Sequence, residues 1–135
     1  MFMRRFLFGL AVALCATGAQ AQRADQAVRA AWSVAEVLLA ADLAGVCRSV
    51  VHTENHKDAN ALLADAVVLF INERDLTMAD FAAASQIYGP AEINRIKRQL
   101  LRRDGVDVAS ARARCFYARR IAGEEHPVGR FLVRR

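Results

Sequence analysis

The sequence predicts an all-α fold, a compact bundle of four to five helices with one disulfide. Three observations predict it. Apolar residues recur at steps of three and four along most of the chain, the spacing that gathers them on one face of a helix. Leu, Ala and Arg dominate, all good helix formers, whereas Pro occurs only twice in 135 residues. Two cysteines, Cys47 and Cys115, lie far apart in a chain that reads as exported.

The N-terminal segment carries the export signal. Met1-Phe2-Met3-Arg4-Arg5 is a short basic start, Phe6 to Leu14 is an uncharged run, and Ala19-Gln20-Ala21 offers small residues where a signal peptidase reads. Residues 1–21 are expected to be a signal peptide cleaved after Ala21, and residues 22–135 one helical domain in the periplasm. Cys15 raises the alternative of a lipid anchor, but Leu14 stands where that signal needs a small residue. Arg4-Arg5 sits in surroundings that fit twin-arginine export poorly. A membrane span needs about 20 apolar residues, so no transmembrane helix is expected in the mature chain.

The first mature helix is expected from Asp25 to Cys47, with Asp25 as its cap. Val28, Trp32, Ala35, Leu39, Leu43 and Val46 share a face, and Trp32 reads as core rather than as a ligand-stacking group. Gly45 weakens its last turn. A polar connection from Val51 to His56 leads to a second helix, Lys57 to Asn72, with Ala59, Leu63, Ala66, Val67 and Phe70 inward.

Thr77 and Asp80 have capping-box spacing and start a third helix that ends at Tyr88. Gly89-Pro90 separates it from a fourth, with Pro90 at the first position, where its missing N–H costs nothing. Ile93, Ile96, Leu100 and Leu101 form its apolar stripe, and Gly105 ends it. A fifth helix is expected from Val108 to Ala122, capped by Asp107. Its core stripe is Val108, Ala111, Cys115, Ala118 and Ala122, widened by Phe116 and Ile121. Pro127 opens a last turn holding Val128, Phe131 and Leu132, and no segment alternates strongly enough to predict a strand.

In an oxidising compartment Cys47 and Cys115 most simply form a disulfide, and two buried free thiols are the alternative. The bridge closes 68 residues. Constraining a loop of that length stabilises a fold by about 4 kcal/mol in the chain-entropy model.

Charge is uneven along the chain. Residues 22–92 hold five basic and ten acidic groups, net −5, and residues 93–135 hold twelve basic and four acidic groups, net +8. Arg95, Arg98, Arg102, Arg112 and Arg119 are the candidate basic face for a partner, an acidic protein or an envelope component. Export argues against nucleic acid. The alternative is that the basic helices lie against the acidic ones and the charge is compensated internally.

Enzyme chemistry finds little footing. His52, Glu54 and His56 form the only dense metal-capable cluster, but Glu two residues after the first His breaks the zinc-protease spacing. They read as a polar loop, and neither a metal nor any other cofactor is expected. Ser33, Ser49, Ser85 and Ser110 lie outside any nucleophile elbow. Cys115 beside Arg114 and Arg119 has the cations that activate a thiolate, but pairing with Cys47 removes that role. Phe116-Tyr117 among arginines fits a cation–π surface or the edge of a helical core.

The stretch Cys115-Phe116-Tyr117-Ala118-Arg119-Arg120-Ile121-Ala122, the ending Val128-Gly129-Arg130-Phe131-Leu132-Val133-Arg134 and the cysteine spacing resemble a small exported bacterial family, domain of unknown function 5333. The resemblance implies a Gram-negative periplasmic protein. It implies no activity and no catalytic residues. The functional expectation is a non-enzymatic binding or interaction module. An acid- or stress-conditioned periplasmic chaperone is the alternative, since protonating fourteen carboxylates loosens such a bundle. A metal-dependent enzyme through His52 and His56 ranks behind both.

Overall fold

The computed structural model describes residues 3–52 and 58–135, with side chains from residue 18 onward. Five helices run in the order α1 (Met3–Val46), α2 (Ala59–Arg74), α3 (Met78–Ile87), α4 (Pro90–Arg103) and α5 (Ala111–Ile121). Two three-residue strands, β1 (Val50–His52) and β2 (Leu132–Arg134), pair antiparallel with Val51 opposite Val133. The expected all-α bundle is therefore present, with a small ribbon beside it. Strands this short span barely one alternation, which is why no period-2 pattern announced them.

α1 is the axis. α2, α3, α4 and α5 all pack against it. Its Ala30, Ala31, Ala35, Val37, Leu39, Ala40 and Leu43 are buried, along with Ser33 and Glu36. Neighbours on several sides bury more than one stripe, and the alanines let them approach closely. The single face expected from Val28 to Val46 is corrected accordingly. Val28 is 38% exposed and Val46 is exposed at the helix end, while Trp32 is half-buried against the core. The helix also carries through Gly45 to Val46.

Local chemistry sets the other boundaries. Asp58 caps α2 by accepting the Asn60 N–H at 2.9 Å. The Thr77–Asp80 capping box is present in both directions, at 3.2 and 2.8 Å. Pro90 opens α4 as expected, and Gly105 takes the left-handed conformation after its end, φ 73°. The cap of α5 is Ser110, whose Oγ accepts the Ala113 N–H at 3.1 Å, so this helix starts three residues later than expected. Asp107 instead turns the chain ahead of it through the Ala109 N–H.

Cys47 and Cys115 are bonded, with their Cα atoms 4.9 Å apart, and tie the end of α1 to the middle of α5. Ion pairs bind the acidic helices to later basic ones. Lys97 Nζ lies 2.6 Å from Asp42 Oδ2, and Arg130 grips both Glu73 oxygens at 2.7 and 2.9 Å. Between α1 and α2, Arg74 Nη1 donates to buried Ser33 Oγ at 2.8 Å and sits 2.8 Å from Glu36 Oε2. Burial pushes the Glu36 carboxyl above its ordinary value, and Arg74 opposes this. The Arg74 guanidinium also covers the Phe70 ring at 4.3 Å. Among the described residues no helix is long and apolar enough to cross a membrane.

Candidate functional site

The structure divides the expected basic face in two. Arg95, Arg98 and Arg102 are exposed on α4, and Arg112 and Arg119 are exposed on α5. Arg95 spends part of its charge on Glu92 one turn away, at 3.0 Å. Arg98, Arg102, Arg112 and Arg119 have no acidic partner among the described residues. Internal compensation thus holds for Lys97 and Arg130 and does not reach these four side chains.

On α5 the arginines surround an apolar group. Phe116, expected in the core, is 62% exposed. The reason is angular: Cys115 turns toward Cys47, while Tyr117, Ala118 and Ile121 hold the buried side, so Phe116 is rotated outward. Phe116, Arg112, Arg119 and Arg120 line one open cleft of about 550 Å³. Arg120 also covers the Tyr117 ring at 5.6 Å.

The floor beside that cleft is a polar node that sequence spacing did not reveal. Tyr117, only 2% exposed, donates its hydroxyl to Asp104 Oδ2 at 2.6 Å. His126 Nε2 lies 2.8 Å from the same oxygen. The N–H groups of Val128 and Gly129 point at His126 Nδ1, at 3.1 and 3.2 Å, so Nδ1 accepts and Nε2–H donates to the carboxylate. The node joins the end of α4, the middle of α5 and the turn before β2. It ties these three segments together through side chains far apart in sequence.

Burial pulls the Asp104 carboxyl up, but the hydrogen bonds from Tyr117 and His126 and the nearby positive charge outweigh this and hold it below its usual range. Burial, then the bond to Asp104, pushes the Tyr117 hydroxyl well above its ordinary value. A carboxyl lowered on folding adds stability that is complete above about pH 4 and drains away as the pH falls through the folded value. The melting temperature of the wild type should therefore fall more steeply as the pH drops below about 4 than that of Asp104→Asn. Parallel curves from calorimetric melts would reject this assignment.

A second concavity is apolar. Val34 and Leu38 of α1, Leu63 and Val67 of α2, Tyr88 and Ile93 line a groove of about 420 Å³, floored by Ala31 and Ala84. Leu63 and Val67 were expected in the core. They are half-buried and line this groove. Its polar side chains are Ser85, Tyr88, Asn94 and Lys97.

The metal expectation divides. His52 is half-buried on β1 opposite Leu132, whereas Glu54 and His56 lie outside the described residues. No group of three metal-capable side chains is found among the described residues. The chain matches no family model, no curated protein and no solved structure.

Proposed function

We propose that this is an exported, non-enzymatic binding module that engages an acidic envelope partner through the α5 face. One observation carries the reading: a large aromatic side chain, Phe116, stands exposed among Arg112, Arg119 and Arg120. Leaving a phenyl ring in water forgoes about 1.5–3 kcal/mol, a cost that contact with a partner recovers. Arginines around such an anchor supply the polar rim and the preference for negative charge.

Export is supported by two features. The disulfide suits an oxidising compartment. The side chains of residues 18–25 are exposed and burial begins beyond them, so cleavage after Ala21 removes no described core contact. The resemblance carried by the ending Val128 to Arg134 supports the same reading, in which the chain is periplasmic.

Affinity capture from envelope extract tests the proposal, using wild type, Phe116→Ala and Arg112→Glu/Arg119→Glu. Truncating a central aromatic anchor costs about 2 kcal/mol, so specific partners should be recovered about thirtyfold less well. Equal recovery by all three proteins sinks the α5 face. Both substitutions are at exposed positions, so the melting temperature should stay within a few degrees of wild type.

A further inference from the structure

We propose that the groove between α1, α2, α3 and α4 binds a single acyl chain bearing an anionic head group, a site separate from the α5 face. The groove is a channel between packed helices, and its volume of about 420 Å³ lies within the range of small-molecule pockets. Its lining is largely aliphatic or aromatic, and its buried members are Ala31, Phe81 and Ala84. Apolar side chains outnumber the polar ones, Ser85, Tyr88, Asn94 and Lys97, in the lining. A flexible hydrocarbon requires only apolar contact.

The head group is assigned by charge. The polar side of the groove is formed by α4, where Asn94 and Lys97 line it. Arg98 lies one turn beyond Asn94 on the same side of the helix. Lys97 is held by Asp42, which offsets one of the two charges. Arg98 is exposed and has no acidic partner among the described residues, so its charge is free for a carboxylate or phosphate. The packed elements also carry acids: Asp42, 53% exposed and bonded to Lys97, Glu92, bonded to Arg95, and exposed Asp65 of α2. An amphiphile with its tail between α1 and α2 and its head toward Arg98 satisfies both the apolar lining and the uncompensated cation. A neutral chain satisfies only the first.

The test is calorimetric titration of the disulfide-bonded protein with sodium decanoate below its critical micelle concentration, and with decanol. The expected result is one decanoate per chain. Val67→Asp, which places a carboxylate in the lining, should weaken it more than tenfold. Ser85→Trp, at an exposed rim position, should do the same without touching the core. Arg98→Glu should weaken decanoate about tenfold and leave decanol unchanged, while the charge-matched Arg112→Glu should alter neither. No saturable decanoate binding by wild type overturns the proposal. So does binding unchanged in both groove variants, or an equal loss in Arg98→Glu and Arg112→Glu. Binding of decanol with no effect of Arg98→Glu on decanoate overturns the anionic head group. None of these outcomes bears on partner capture through Phe116.

Discussion

Replacing Cys47 and Cys115 together by alanine is expected to lower the unfolding free energy by about 4 kcal/mol. The bridge spans 68 residues and so removes much of the freedom of the unfolded chain. A domain of this size is typically stable by about 5–15 kcal/mol, so the variant should lie close to its unfolding threshold at 37 °C. The bond also joins the end of α1 to α5, the helix that carries Phe116. Partner capture through that face should therefore weaken along with stability. Urea denaturation of oxidised wild type and the double variant measures the difference. The slope against urea should rise as well, because an unbridged unfolded chain exposes more surface. Superimposed unfolding curves would show that the bridge contributes nothing to the fold.

Gly129→Ala is expected to cost about 3 kcal/mol, the upper end for overpacking a buried site. A Cβ at this position would stand 2.0 Å from the Ile121 carbonyl oxygen and 2.7 Å from its carbon. Both atoms are backbone at the end of α5, so no rotamer change relieves the clash. The turn from Val128 to Phe131 must lift away. With it go the bonds from the Gly123 N–H to the carbonyls of Gly129 and Leu132, at 3.1 and 3.0 Å. The Val128 and Gly129 N–H groups then also leave His126. Gly45→Ala is the matched control. Outside its own helical turn nothing lies within 4 Å of the added methyl, and in this last turn of α1 the exchange should stabilise by up to about 0.5 kcal/mol. Thermal melts of the two variants should move in opposite directions, and a Gly129→Ala melt at the wild-type temperature contradicts the packing argument.

Helix identity was legible wherever the signal is local. The Thr77–Asp80 box, Pro90 at the head of α4, and Gly105 in left-handed conformation all act through atoms within a few residues. The disulfide was legible because compartment and cysteine count leave few alternatives. The α5 face was half legible. Arg112 and Arg119 were identified from charge, but Phe116 was assigned to the core because a stripe at spacing three and four leaves its width undefined. The groove was illegible. Leu63 and Val67 have core spacing, and only the distance between helices decides whether such residues meet a neighbour or an opening.

Although α1 runs through Asp25 and α5 takes Ser110 as its cap, chain order by itself determined part of the local chemistry: the Thr77–Asp80 box, Pro90 at the head of α4, and which two sulfurs are available to join. Those outcomes depend on groups within one turn of one another, or on a choice among very few candidates. Tertiary structure alone decided that α1 is wrapped on several sides, that Asp104, Tyr117 and His126 converge, and that β1 meets β2. These contacts join residues far apart in sequence, 84 positions in the pairing of Val50 with Arg134. Their formation depends on how helices of given bulk can close-pack around a central one. No single segment carries that information, because it belongs to the spaces between segments.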